Sequence, residues 1–231
     1  MIKFSYTVCN KYNSYKNGDD AEQDITKTYF SSIGVTFNKI EPIKGEKGTE
    51  KTPDGYLSIN GENIALIEVK FIAERSEGRG KQGEFEKIKT DDAIRRQIKN
   101  AKKQLGNIES DLPKIIYLTN NEIFFDPDDV VTGAFGKLEI HFIKDVKLYE
   151  TYRGLSSKPN ENLFSDNLIS GIISYQQIGT NHSKTLDYNL WIIENKETKS
   201  IPKVLFDNSH LKFHLEYSSE RLKILKGKEM L

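Results

Sequence analysis

The sequence predicts an α/β protein whose helices flank a mixed sheet, and three observations carry that expectation. Stretches with apolar residues at helical spacing alternate with short apolar runs along the first part of the chain. Asn60-Gly61 stands between two strand-like runs, the strongest short-range signal for a tight hairpin. Beyond about residue 150 the runs are strand-like only, which predicts a strand-rich C-terminal elaboration.

Taken in order, residues 2–9 read as a short strand and 10–19, rich in Asn, Lys, Gly and Asp, as a turn. Asp19 or Asp20 caps a helix over about 20–32. Its Ala21, Ile25, Tyr29 and Ile33 form one apolar stripe, and Gly34 ends it. Residues 35–40 alternate as a strand, and 41–52 form a Gly/Lys/Glu loop. Residues 54–59 and 63–71 are the two hairpin strands; Ile64-Ala65-Leu66-Ile67 is apolar on both faces, as a central strand is. Residues 73–90 are highly charged and carry Gly78, Gly80 and Gly83, so they read as an exposed insertion. A helix then runs from Asp91 or Asp92 to about Leu105, with Ile94, Ile98, Ala101 and Leu105 inward and Gly106 as its stop. Further strands follow over 114–119, 138–143, 168–177, 186–194 and 211–217. Residues 1–150 are expected as the core and 151–231 as an extension of the same domain, with 151–167 a loop or a weak boundary.

The chain has 231 residues, with 34 basic and 34 acidic side chains and a formal charge of zero. That balance excludes a protein that coats nucleic acid through bulk charge, while leaving room for a local basic surface. A single cysteine, Cys9, excludes an internal disulfide and fits a reducing compartment. No apolar run suits a secretory signal or a membrane span, so a cytoplasmic protein is expected.

The chemistry points to one region. The chain reads Thr52-Pro53-Asp54-Gly55-Tyr56, and fourteen residues after Asp54 (68 − 54) it reads Glu68-Val69-Lys70. Carboxylates from two adjacent strands can hold Mg²⁺ or Mn²⁺, leaving open positions for waters and a phosphate oxygen. Glu68 and Lys70 are two apart on a strand and so share a face, about 6.6 Å apart along it, while Val69 points the other way. Asp54 opens the partner strand of the hairpin and can approach Glu68 across the ladder.

Pro53-Asp54 followed by Glu68-Val69-Lys70 resembles the motif of the PD-(D/E)xK nuclease superfamily, and the resemblance covers roughly residues 20–145. It implies a restriction-endonuclease-like fold and metal-dependent hydrolysis of DNA phosphodiester bonds by an endonuclease of restriction or repair type. It assigns Asp54 and Glu68 as metal ligands, the Val69 carbonyl as a further ligand, and Lys70 as the residue that assists the attacking water. Glu22, on the preceding helix, matches the further acid of some members. Gln97, on the following helix, matches a Gln of others, although the Tyr that accompanies that Gln is absent. The same helix carries Arg95, Arg96 and Lys99, which read as phosphate contacts or as an ordinary solvated face. DNA is the expected partner. A homodimer stays open, although resolvases, which are often dimeric, are more basic than this chain.

Other matches are weaker. Acid-x-Lys also occurs at Asp145-Lys147, Glu194-Lys196 and Glu197-Lys199, and a second Pro-Asp at Pro127-Asp128, without a hairpin between the halves. His210 and His214 lie on a strand-like stretch and read as solvent-facing. Trp191, Ile172 and Ile173 read as core. The alternative function, from a different class, is a non-catalytic binding module that retains the fold.

Overall fold

The structure is a computed structural model that describes residues 29–41, 44–45, 48–49, 52–72, 90–120, 127–136, 138–139, 153–154, 162–178, 187–206, 211–218 and 221–226. The expected strand over 2–9, most of the first helix, Glu22, Cys9, the insertion over 73–89 and Asp145-Lys147 lie outside them.

An eight-stranded mixed sheet forms the body, and its spatial order follows the chain. The strands are β1 (Thr36–Lys39), β2 (Gly55–Ile59), β3 (Glu62–Ile72), β4 (Lys114–Asn120), β5 (Gly171–Ile178), β6 (Asp187–Asn195), β7 (Leu211–Ser218) and β8 (Arg221–Lys226). β2 runs antiparallel to both β1 and β3. β3, β4 and β5 run parallel, the pairing that requires crossover connections. The crossover from β3 to β4 carries α1 (Thr90–Gly106), and the one from β4 to β5 carries α2 (Pro127–Phe135). β6 is antiparallel to β5 and parallel to β7, and β8 closes as an antiparallel edge. The C-terminal strands thus extend the sheet begun by β1–β4.

Side chains alternate across each strand, so one sheet has two core layers. On one face Leu66, Ile72, Ile116, Leu118, Ile172, Trp191 and Ile193 meet α1 and α2. The α1 stripe of Ile94, Ile98, Ala101 and Leu105 is fully buried there, at the spacing that puts all four on one helix face. On the other face Ala65, Ile67, Val69, Ile115, Tyr117, Ile173 and Ile192 meet Tyr29 and Phe30 from the end of the first helical segment. The Tyr29 hydroxyl donates to the Leu205 carbonyl at 2.9 Å and ties that segment to the turn before β7. Because both faces are covered, β3 to β6 need apolar residues on both sides, which is why their sequences lack a clean alternation.

The turns follow their residues. Asn60 and Gly61 both take positive φ, 51° and 85°, as a tight hairpin turn that matches strand twist requires. Gly34 has φ 71° and ends the first helical segment as expected. The loop expected over 41–52 holds a two-strand ribbon, Lys44–Gly45 with Gly48–Thr49. Of the strand expected over 138–143, the described part is Leu138–Glu139, paired with Arg153–Gly154 outside the main sheet. Helix α2 and the edge strand β8 escaped the sequence reading, as did the short strand Arg153–Gly154 and the 3₁₀ turn Lys203–Leu205. Pro127 opens α2 with Asp128 and Asp129 in its first turn, so the second Pro-Asp is a helix start, where a missing N–H costs nothing.

Candidate active site

Asp54 stands immediately before β2, and Gly55 pairs with Ile67 of β3, which sets Asp54 beside Glu68 as the hairpin predicts. The pair is interlocked through backbone. The Asp54 N–H donates to Glu68 Oε2 at 3.0 Å, and the Val69 N–H donates to Asp54 Oδ2 at 2.7 Å. The turn depends on Gly55, because a Cβ there would sit 2.4 Å from the Asn38 carbonyl oxygen and 2.5 Å from the Phe37 ring. β1 approaches β2 so closely that no other residue fits without displacing the strand that carries Asp54.

Glu68 and Lys70 lie on the α1 face of β3, with Leu66 and Ile72, whereas Val69 is buried in the opposite layer. The Glu68 side chain has no exposed surface, and the Lys70 side chain keeps 17%. Lys70 Nζ pairs with Glu68 Oε1. Burial pushes the Glu68 carboxyl from 4.5 up to about 7, the Asp54 charge pushes in the same direction, and Lys70 pulls it back only in part. Two carboxyl groups thus stand beside the Lys70 ammonium.

α1 supplies a residue that the sequence reading missed. Gln104 Oε1 accepts from Lys70 Nζ at 2.9 Å, and its Nε2 donates to the Thr52 carbonyl at 3.1 Å. Gln104 thus bridges the lysine to the segment that leads into Asp54. It lies seven residues after Gln97 (104 − 97), two helical turns along the same face. Gln104, not Gln97, therefore holds Lys70, because the last turn of α1 lies over the site. The spacing alone marks both residues, and only the path of α1 across β3 chooses between them.

The basic residues of α1 divide. Arg96, Lys99 and Lys103 are exposed. Arg95 is half-buried, with Nη1 donating to the Gly133 carbonyl at 3.2 Å in the last turn of α2. It is committed to the packing of the two helices, which a phosphate contact would have to disturb. Lys102 pairs with Asp166 at 2.9 Å and donates to the Leu163 carbonyl.

A second acid-x-Lys, Glu194-Asn195-Lys196, ends β6. Lys196 Nζ lies 3.0 Å from Glu194 Oε2 and 2.7 Å from Glu216 Oε1. The Ile201 N–H donates to Glu194 Oε1 at 3.3 Å. His214 Nε2 stands 3.3 Å from Glu194 Oε2, without hydrogen-bond geometry. His214 is 8% exposed, which corrects the solvent-facing expectation. The reason is that Phe206 packs against the His214 ring, centroids 5.3 Å apart, on the face of β7 opposite the buried Phe213, Leu215 and Tyr217.

Among the described residues no group of three or more His, Cys, Asp or Glu side chains could hold a metal. Asp54 and Glu68 are two hard oxygen donors, a number with which Mg²⁺, retaining its waters and a substrate phosphate, is commonly held. Burial raises Glu68 first and the Asp54 charge adds to it; a cation would offset both, so the donor set fits a hard divalent ion. Among the described residues no helix is long and apolar enough to cross a membrane. Comparison of the chain with protein-family models, with curated proteins and with solved structures gives no match.

Proposed function

We propose that the protein is a metal-dependent nuclease that hydrolyses DNA phosphodiester bonds at Asp54, Glu68 and Lys70. The observation that carries this reading is the raised Glu68 carboxyl, buried beside Asp54 with only one lysine against two acids. The order β1-β2-β3-α1-β4, with the acid pair on the β2–β3 hairpin and a helix crossing over it, is the arrangement that the PD-(D/E)xK resemblance implies, and it supports a restriction-endonuclease-like core.

Asp54 and Glu68 would hold Mg²⁺ or Mn²⁺, with the Val69 carbonyl as a further donor. When bound, the ion would lower the pKa of a coordinated water and offset charge on the phosphate. The interlocked backbone hydrogen bonds fix both carboxylates before substrate arrives, so little reorganisation is needed at the moment of reaction. Lys70, partly exposed and tethered by Gln104, orients the water that adds to phosphorus as one P–O ester bond breaks. Its ammonium offsets the charge that gathers on the phosphate oxygens. Arg96 and Lys99 supply exposed positive charge for the DNA backbone.

One observation favours a binding module instead. Lys70, Glu68 and Asp54 already satisfy one another, as in a structural ion pair. The deciding experiment incubates the wild type, Asp54→Ala and Lys70→Ala with plasmid and with single-stranded DNA, with Mg²⁺ or Mn²⁺. Metal-dependent cleavage by the wild type that both variants lose is expected. No cleavage of any substrate, or cleavage unchanged in both variants, would sink the nuclease reading.

A further inference from the structure

Lys70 Nζ has two partners of different kinds. One is Glu68 Oε1, on its own strand; the other is Gln104 Oε1, on α1. The first is a charge that a divalent cation would also claim. The second is neutral, and its own amide is anchored to the Thr52 carbonyl. A cation bound at Glu68 would compete with the lysine for this carboxylate and repel the ammonium. Lys70 must then move or be held by something else. Gln104 is already at hydrogen-bond distance, and a neutral amide oxygen does not compete for a hard cation as a carboxylate does.

We propose that Gln104 is a positioning residue that retains Lys70 when a divalent cation takes over Glu68, so that metal binding exchanges the Lys70–Glu68 ion pair for the Lys70–Gln104 hydrogen bond. This rests on the metal-binding reading of Asp54 and Glu68. Gln104 also links Lys70 to the Thr52-Pro53 segment that carries Asp54, which couples the lysine to the position of the first carboxylate. The exchange makes Lys70 a competitor of the cation and Gln104 the residue that lowers the cost of displacing it.

The test is Mn²⁺ affinity, read by calorimetry and by the electron paramagnetic resonance of free Mn²⁺, without DNA. Lys70→Met removes the competitor and is expected to tighten Mn²⁺ binding. Gln104→Leu leaves Lys70 on Glu68 and is expected to weaken Mn²⁺ binding about tenfold, the size of one hydrogen bond to a charged group. In the Lys70→Met background Gln104→Leu should cost nothing further, because the two changes act through one interaction. Gln104→Glu keeps an acceptor for Lys70, so affinity at least equal to that of the wild type is expected, and this variant carries the test if Gln104→Leu does not fold. Wild-type affinity in Gln104→Leu, an equal loss in both backgrounds, or weakened binding in Gln104→Glu overturns the exchange while leaving the metal site standing. Failure of the wild type to bind Mn²⁺ overturns the nuclease reading itself, and the exchange with it.

Discussion

Glu68 in β3 and Glu194 in β6 are both buried, and each pairs with a lysine two residues further on. Their electrostatics run in opposite directions. At Glu68, burial and the neighbouring Asp54 push the carboxyl up to about 7. At Glu194 burial also opposes the charge, but His214 and Lys196 overcome it, and the carboxyl is held below its ordinary value. Lys196 is in turn held above its ordinary value, because its bonds to Glu216 and Glu194 outweigh its own burial. The triplet is the same, and what stands opposite it decides its character. A facing aspartate adds to the burial that raises one carboxyl, whereas a facing histidine and a shared lysine lower the other into a structural clasp. Under the proposed function the first arrangement would take a cation and the second would not.

The sharpest way to break this comparison is to neutralise each glutamate in turn. Glu68→Gln should reduce Mg²⁺-dependent DNA cleavage at least about a hundredfold, the loss typical when one preorganised charged group leaves a reaction site. Glu194→Gln should leave cleavage per folded molecule unchanged and lower stability instead, by about 1 kcal/mol, because a buried carboxylate loses its charged contact to the exposed Lys196 and its contact to His214. Cleavage assays and chemical denaturation on both variants check this. Equal activity losses in the two would show that the facing residues do not separate them.

Titration separates the two sites next. A carboxyl raised from 4.5 to about 7 binds more protons in the folded state between those values. Its stabilisation is full below about pH 4.5 and is lost as pH rises through about 7, by about 3 kcal/mol in all. Glu194, held low, behaves in the opposite sense: its contribution is present above pH 4.5 and is lost as pH falls below it. Denaturation midpoints of the wild type without metal should therefore carry a downward slope between pH 4.5 and about 7 that Glu68→Gln lacks. Glu194→Gln should keep that slope and lose part of the acid-side fall. A slope that persists in Glu68→Gln would place the raised group elsewhere.

Much of this was legible in the sequence, and where it was not the reasons are physical. The Asn60-Gly61 turn fixed the register that places Asp54 beside Glu68, because a two-residue hairpin leaves little choice of pairing. The α1 stripe and the doubly apolar β3 were plain from periodicity. Helix α2 went unseen because Pro127-Asp128 was weighed as a motif rather than as a helix start, although Pro with acids behind it signals one. His214 was misjudged because alternation assumes one wet face, and β7 has none over Phe213–Tyr217 except at Glu216, which is half-buried. Gln104 could not be chosen over Gln97, since helix spacing gives the face and only the crossing of α1 over β3 gives the height.

Backbone crowding offers a further comparison, smaller in effect. A Cβ on Gly55 would meet the Asn38 carbonyl oxygen at 2.4 Å, and one on Gly171 would meet the Ile193 carbonyl oxygen at 2.4 Å. The first glycine adjoins Asp54, and the second pairs with Glu194. Gly55→Ala and Gly171→Ala should each destabilise by about 1–3 kcal/mol, as overpacking of a closed site does. Only Gly55→Ala should also weaken Mn²⁺ binding, because it displaces the strand end that holds one carboxylate. Mn²⁺ titration of both variants at a temperature where each is folded makes the distinction, and equal affinities would detach Asp54 from the site.

The smallest expected effect concerns Lys196 and Lys99. Lys196 is bound between Glu194 and Glu216, so its charge is already matched by neighbouring carboxylates. Lys99 is exposed on α1, the helix whose last turn covers the candidate site. A phosphate contact from an exposed lysine releases about one counterion, so its removal lowers the salt slope of DNA binding by about 1 and weakens binding across all sequences alike. Lys99→Ala is therefore expected to cost a few-fold in affinity for duplex DNA at low salt, and less as salt rises. Lys196→Ala is expected to leave the slope unchanged, since a lysine neutralised within the protein has little charge to offer a phosphate. Fluorescence anisotropy with labelled duplex over a salt series reads both slopes. An unchanged slope in Lys99→Ala would move the DNA path off this face of α1, while leaving Asp54, Glu68 and Lys70 to be judged by cleavage alone.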